Sequence, residues 1–388
     1  MRSGNLRVPW RGISFVQACW RSFYLYRDRQ VEPRPQFRGH ARRPLRCKGN
    51  SVMGSVLRPI VPSVWNRSDT QFAVALESPW YRQISEVYSV IYFASVDFFR
   101  ARHYVPALVP ITTGSISSPM GPGSDSEPVK IRLHERETYL ADSMQFALEY
   151  YLRQGHSGSF YIMTSFRGED SDARHLNQFY HAEVEIIGGL DDVMELVEDY
   201  VTALCRAVLA SSISVQHDRL EKYLASGRPL RIEVDEALAE LAGEPSFVRS
   251  ADDGESLITA AGERELLRRH RSEGIWLVHP SRTTSPFYQA TNPDRPNRVL
   301  AADLLIGIGE TVGCGERHAR AEEVVASLRL QHVNPEPYDW YLRLKREYPL
   351  RTAGFGLGVE RFLLWVLGHD DIRDIHPIPR LKDEDWPL

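Results

Sequence analysis

Residues 166–185 read Phe-Arg-Gly-Glu-Asp-Ser-Asp-Ala-Arg-His-Leu-Asn-Gln-Phe-Tyr-His-Ala-Glu-Val-Glu, a set of side-chain types suited to holding a charged ligand. Residues 160–165 lead in with Tyr161, Ile162 and Met163, so two strand-like runs flank a charged loop. In the second run the side chains alternate, as a half-buried strand requires. Phe179, His181, Glu183 and Glu185 fall on one face; Tyr180, Ala182, Val184 and Ile186 fall on the other. The first face carries an aromatic plate, a histidine and two carboxylates. Arg167 enters from the preceding strand, and Arg174 and His175 sit in the loop. Several buried charges cost more than packing returns, so this face suits a site better than a core. The plainer alternative for a short motif is a solvated hairpin.

A second stretch delivers carboxylates. The nearly all-apolar run from Val299 carries Asp303, and a bend at Gly307 and Gly309 brings Glu310 seven residues later. Hard divalent cations take oxygen ligands, commonly one or two carboxylates plus substrate phosphates. Arg317 follows after a further seven residues. A guanidinium suits bidentate recognition of oxygen; a surface salt bridge is the plainer reading. Finally, Gly354-Phe355-Gly356-Leu357-Gly358-Val359-Glu360-Arg361 lets backbone approach a ligand closely. Val359 occupies the third-glycine place of a dinucleotide fingerprint, which this run therefore is not. The helix behind it, with Phe362, Leu363 and Val366 on one side, presents Arg361 in its first turn.

These segments together resemble the class II aminoacyl-tRNA synthetases, in the branch that activates aspartate and asparagine. Phe166-Arg167-x-Glu169, the loop, Arg174-His175-Leu176-x-x-Phe179 and the strand ending Glu183-x-Glu185 are similar to motif 2. His181-Ala182-Glu183 looks more like the asparaginyl enzymes of archaeal and eukaryotic type than the aspartyl ones. Residues 354–361 resemble motif 3. A helix over 81–100 and a strand over 104–111 ending at Pro110 resemble motif 1, which builds the family's homodimer interface. Ile372-Arg373-Asp374 and Pro379-Arg380 complete a resemblance that covers roughly residues 80–380.

The resemblance implies an α+β fold, an antiparallel β-sheet flanked by helices, in a single catalytic domain with a small insertion at about 215–285. It implies ATP and Mg²⁺. Phe179 would stack on adenine, Glu169 would meet its exocyclic amine, and Arg167 would hold the α-phosphate. His175 and Arg361 would hold the terminal phosphates, and Asp303 and Glu310 the metal. Arg167 and Arg361 are thus the implied catalytic residues. Ser143, Gln145, His181, Glu183 and Arg317 would shape the amino-acid pocket, with N-capping by Asp142 or Ser143 as the plainer alternative for the first of them. The chain also departs from the family. Ser118-Pro119-Met120-Gly121-Pro122 stands where the family places a loop glutamate for the substrate amino group, and its flavour resembles the archaeal asparagine synthetases related to asparaginyl-tRNA synthetase. Leu148 stands where the aspartyl enzymes carry a lysine.

Composition sets the frame. The chain has 388 residues, 43% hydrophobic and 25% charged, ordinary for a soluble globular enzyme. Net charge is −4, but residues 1–52 hold twelve Lys or Arg against Asp28 and Glu32, leaving −14 for the remainder. That balance argues against a nucleic-acid-binding body. The basic leader could be a transit peptide, a disordered arm, or a region upstream of a true start at Met53; it is expected to be disordered or outside the mature protein, with 53–388 the catalytic domain. No run of some 18 apolar residues occurs, so no membrane helix is expected. Cys19, Cys47, Cys205 and Cys314 lack CxxC spacing, which favours a reducing compartment without a disulfide framework or zinc site. The cytoplasm is expected, with organellar targeting by the leader the less favoured alternative.

Among the remaining elements, Asp192-Val193-Met194-Glu195 reads as a capping signal before a helix whose stripe is Val193, Leu196, Val197, Tyr200, Val201, Leu204 and Val208. Residues 257–271 read as an amphipathic helix and 275–278 as a buried strand. Pro286-Phe287-Tyr288 matches a family strand. The segment from Met53 to about Trp80 is too short for the family's five-stranded anticodon-binding barrel. The expected function is therefore an AMP- and pyrophosphate-forming amide ligase of the asparagine-synthetase type. It would use a small-molecule amino acid and ammonia or a small amine, as a homodimer, with tRNA not expected as a partner. Two alternatives stand beside it: a truncated asparaginyl-tRNA synthetase-like enzyme passing its acyl group to tRNA or another acceptor, and a non-catalytic regulatory paralogue.

Overall fold

The computed structural model describes residues 62, 71–117, 126–251 and 254–382. The leader, Met53 and the 118–122 run with Met120 lie outside the described residues. The strands are β1 (Val105–Pro106), β2 (Thr112–Thr113), β3 (Lys130–Leu133), β4 (Arg136–Leu140), β5 (Gly158–Phe166), β6 (Gln178–Ile187), β7 (Leu230–Glu233), β8 (Val248–Ser250), β9 (Ser256–Ile258), β10 (Ile275–Val278), β11 (Ala301–Ile306), β12 (Gly309–Glu316) and β13 (Thr352–Gly358). The helices are α1 (Gln71–Glu77), α2 (Pro79–Ala101), α3 (Gln145–Leu152), α4 (Leu190–Ala210), α5 (His217–Ser226), α6 (Val234–Leu241), α7 (Ala260–His270), α8 (Ala321–Leu330), α9 (Asp339–Glu347) and α10 (Val359–Leu367).

One eight-stranded sheet runs β1-β5-β6-β13-β12-β11-β10-β7. Its interior pairs are antiparallel, as expected, but β1 runs parallel to β5 and β7 parallel to β10, so the sheet is mixed. For β7 the reason is connectivity: it reaches β10 through α6, the β8–β9 pair and α7, a crossover long enough to return the chain in the same direction.

Helices α2 and α4 cover one face. All seven stripe residues of α4 are buried, and Tyr200 meets Phe99 and Phe355 at ring-centroid distances of 4.9 and 5.6 Å. Helix α4 starts earlier than the sequence suggested. Gly189 is its N-cap, and Asp192 acts from the third helical position, accepting the Gly189 N–H at 2.8 Å. The helix expected over 257–271 begins at Ala260, where Thr259 accepts the Gly262 N–H; residues 256–258 instead pair with β8. The strand expected over 104–111 shrinks to β1, because Pro106 and Pro110 lack the N–H that a longer ladder needs. Residues 286–288 form a turn rather than a strand, with Phe287 and Tyr288 buried against Phe146.

Candidate active site

Strand β6 forms the wall of the site, and its alternation is as the sequence required: Ala182, Val184 and Ile186 enter the core while Phe179 and His181 line a cavity. On the neighbouring strand, Gly354, Gly356 and Gly358 lie opposite Glu185, Glu183 and His181. A Cβ at Gly354 would overlap the Glu185 carboxylate, and one at Gly356 would stand 3.5 Å from Glu183 Cγ. The alternate glycines of β13 thus serve space: they remove one side-chain layer so that the polar face of β6 has a cavity above it.

That cavity encloses about 590 Å³ with its open mouth, within the range of small-molecule sites. Arg167, Arg174, His175 and Arg361 bring positive or protonatable groups to it, together with Glu169, Phe179, Glu310 and Glu360. The Arg167 guanidinium sits 5.6 Å from the Phe179 ring centre, and His181 packs edge-on to the same ring at 4.8 Å. Among the described residues, the buried Nε–H groups of Arg167 and Arg174 have no hydrogen-bond partner. Buried donors left open cost free energy unless a ligand takes them. Arg361 donates to the Glu310 carbonyl at 2.6 Å, which fixes α10 against β12. Burial and then Arg361 lower the pKa of His175, although Asp172, 2.9 Å from its Nδ1, opposes this. Glu169 is half committed: one oxygen accepts the Glu127 N–H at 3.1 Å, and the other stays 4.0 Å from Arg167.

Asp303 and Glu310 come together through an irregularity that the sequence did not announce. Asp303 pairs with Gly313 and Leu304 with Val312, but Leu305 pairs with Glu310, so Thr311 is an extra residue on β12. Sides alternate along a strand, and a one-residue bulge inverts the parity beyond it. In a ladder without this bulge, with Thr311 paired to Leu305, Glu310 would face away from Asp303. With the bulge, both carboxylates converge on Gly313, whose Cβ would lie 3.3 Å from Glu310 Oε1 and 3.4 Å from Asp303 Oδ1. Burial and the neighbouring Glu310 and Glu263 push the Asp303 carboxyl well above its usual range. Burial opposes ionisation of Glu310 too, but Arg361, Arg167, Arg174 and His175 outweigh it and hold that carboxyl low. Two crowded hard-oxygen donors beside a cationic pocket fit a divalent cation shared with a polyanion.

The five residues expected at the amino-acid end do not all line the cavity; only His181 does. Ser143 donates to Glu183 Oε2 at 2.6 Å and accepts the Gln145 N–H at 3.1 Å, so it serves α3 and the site together. Glu183 also accepts from Tyr161 and lies 3.1 Å from His181 Nδ1. Burial would raise its carboxyl, but the bonds from His181, Ser143 and Tyr161 win and hold it below the usual range. Gln145 is buried and, among the described residues, its Nε2 has no partner. Arg317 is fully buried: Nε and Nη2 reach Glu185 Oε1 at 2.9 and 2.7 Å, Nη1 reaches Gln289 at 2.9 Å, and Tyr288 lies beneath at 5.3 Å. The surface-salt-bridge reading of Arg317 is therefore wrong. Leu148 is core, and its neighbour Glu149 is taken by the buried Lys345 at 2.5 Å.

Sequence reasoning missed Glu263. This α7 residue accepts from Arg174 Nη2 at 2.9 Å and from the Glu310 N–H at 3.1 Å. It sits in Gly-Glu-Arg-Glu, which reads as a solvated face, and no local signal marks it. Gln289 and Glu185 were visible but unassigned; only pairing with Arg317 gives them a place.

Comparison with known proteins converges on one family. A family model described as tRNA synthetases class II (D, K and N) matches residues 68–382. The asparagine–tRNA ligases of Pyrococcus abyssi and Pyrococcus furiosus are each 30% identical over 266 residues, which is 66% of this chain and 60% of theirs. The chain thus spans about 60% of the length of these curated relatives. Asparaginyl-tRNA synthetase from Pyrococcus horikoshii, solved with asparaginyl-adenylate, matches with a TM-score of 0.72 and 25% identity over 81% of this chain and 72% of that one. The Entamoeba histolytica asparaginyl-tRNA synthetase, also with asparaginyl-adenylate, gives 0.70 and 23% over 84% and 74%, a likeness of fold.

Proposed function

Because this chain belongs to the class II tRNA synthetase family for aspartate, lysine and asparagine, we propose that it is an ATP-dependent ligase that activates an asparagine-type amino acid as an acyl adenylate and passes the acyl group to an acceptor. The observation that carries this reading is the cavity itself: Arg167, Arg174, His175 and Arg361 line it with Phe179 and Glu310, and Asp303 meets Glu310 over Gly313, another lining residue. An oxygen of the substrate carboxylate attacks the α-phosphorus of ATP, the bond to the bridging oxygen breaks, and pyrophosphate leaves. A nucleophilic oxygen or nitrogen of the acceptor then attacks the acyl carbon and AMP leaves. Arg167 would hold the α-phosphate, and Arg361, His175 and Arg174 the leaving pyrophosphate, so catalysis is positioning and charge stabilisation. Phe179 would stack on adenine, and the free oxygen of Glu169 would take its amine. Asp303 and Glu310 would hold Mg²⁺, which neutralises phosphate charge when bound.

Asparagine is favoured over aspartate by charge. Glu183 is held ionised and suits the N–H₂ of a side-chain amide but repels a carboxylate, and Arg317 and Gln289 suit the amide's carbonyl side. The names of the relatives support tRNA as acceptor. A second reading keeps the amide ligase: a carboxylate and a guanidinium around one pocket also suit the ammonium and α-carboxylate of aspartate, leaving its side-chain carboxyl to be activated and passed to ammonia. Exposed Phe93, Leu108 and Ile111 in the motif 1 region support a homodimer, checkable by sedimentation. The division at residue 52, and an insertion at about 215–285, belong to the same reading.

The test is ATP–pyrophosphate exchange by the full chain, with asparagine and aspartate compared and no tRNA present. Asparagine-dependent exchange followed by acylation of added tRNA establishes the first reading. Aspartate-dependent exchange, with asparagine formed from ammonia, establishes the second. ATP binding without exchange would point to the regulatory paralogue.

A further inference from the structure

We infer that Glu263, on the α7 helix of the insertion, is a positioning residue for the triphosphate end of the site. The inference rests on the ATP reading given above. Its basis is a three-way contact. One oxygen of Glu263 accepts both from Arg174 Nη2 at 2.9 Å and from the backbone N–H of Glu310 at 3.1 Å. It therefore ties the motif 2 loop, which carries Arg174 and His175, to the turn that carries Glu310. Both tied groups line the cavity; Glu263 does not. Arg174 is oriented by this bond while its Nε–H, buried, has no partner among the described residues. One end of the guanidinium is held and the other is open, as a group aimed at a ligand should be.

The backbone is shaped for this contact. Gly309 has φ +131°, a conformation closed to other residues, and a Cβ there would overlap the Glu263 carboxylate and stand 2.9 Å from Arg174 Nη2. Glycine at 309 thus admits Glu263 as well as making the bend. Helix α7 in turn is fixed by Leu266 and Leu267 in the core formed with Ile232, Leu241, Ile275 and Leu305, so the carboxylate is presented from a rigid support. Glu310 is an acid within reach of both Arg361 and Arg174, so removing Glu263 leaves Arg174 free to swing toward it. The insertion then has a role at the reacting end: it holds the cation that meets the leaving pyrophosphate.

The experiment is equilibrium binding of MgATP to the full chain by calorimetry, with Glu263→Gln, Arg174→Gln and the double variant. The wild type must bind; if it does not, the ATP reading fails and this assignment with it. Given binding, Glu263→Gln should weaken MgATP by roughly tenfold, the size expected for losing a charged hydrogen bond. The double variant should lose less than the two single losses combined, because part of what Glu263 does passes through Arg174. Binding of adenosine, which has no phosphates, should be unchanged in all three, a selectivity that mere loosening of the fold would not give. Additive losses, equal weakening of adenosine, or wild-type affinity in Glu263→Gln would overturn the assignment. Should Glu263→Gln not fold, Glu263→Asp keeps the charge but shortens the reach by one methylene. It should show the same selective loss, and unchanged MgATP affinity would overturn the assignment equally.

Discussion

Replacing Glu183 by glutamine separates the two acids that this pocket could activate. In the structure Glu183 accepts from Ser143 at 2.6 Å and from Tyr161, and approaches His181 Nδ1 at 3.1 Å. Both hydroxyls can rotate to accept from a glutamine amide, so the surrounding network survives the change. What is lost is the negative charge. A hydrogen bond from a substrate amide to a carboxylate contributes about 1.5–3 kcal/mol, so kcat/KM for asparagine should fall by roughly 10- to 150-fold. The same change removes repulsion of an aspartate carboxylate, about 4 kcal/mol at 4 Å and an effective dielectric of 20, most of which relaxation would absorb. The asparagine-to-aspartate ratio in ATP–pyrophosphate exchange should therefore collapse by more than the asparagine loss alone.

The sign of the pH dependence follows. The folded pKa of Glu183 lies below its unfolded value, so its ionised form contributes stability above about pH 4.5, lost as pH falls through the folded value. It is thus charged throughout neutral pH, and the wild-type ratio should be flat from about pH 6 to 8. An unchanged ratio in a Glu183→Gln variant that melts like wild type would refute the reasoning. Loss of aspartate exchange instead would move Glu183 to the ammonium of the substrate.

Asp303→Asn should raise the melting temperature in Mg²⁺-free buffer while abolishing exchange, because it relieves crowding with Glu310 and Glu263. Its folded pKa is raised, so the wild type loses stability as pH climbs above about 4, and the gap between the two melting curves should widen in that direction. Gly313→Ala places a methyl 3.3 to 3.4 Å from both carboxylates; it should keep the fold by circular dichroism and lose Mg²⁺-dependent exchange. Lys345→Met takes from the buried Glu149 the nearer of its two cations, at 2.5 Å, leaving Arg153 at 3.4 Å, and should cost up to about 3–5 kcal/mol in urea unfolding, the usual penalty for breaking a buried pair.

Local order was written locally. The stripe on α4, the alternation along β6 and the bend at Gly307 and Gly309 are properties of neighbouring residues, and sequence spacing alone placed them. Motifs 2 and 3 and the carboxylate stretch likewise named Arg167, His175, Phe179, Glu310 and Arg361, which the fold gathers around one cavity. The boundaries it missed have local competitors: Asp192 caps from inside its helix, and the prolines at 106 and 110 cut a strand short.

Only the tertiary structure decided the rest, because it depends on partners far away in the chain. Whether Glu310 faces Asp303 turns on one extra residue in a register between two strands, and parity cannot be read from either strand alone. Arg317 is a buried group because Glu185, 132 residues away, meets it. Glu263 joins the site because Gly309, 46 positions later, has no side chain to keep it out. Sequence fixes which groups are available; whether a buried charge is tolerated depends on the opposite charge that folding brings to it.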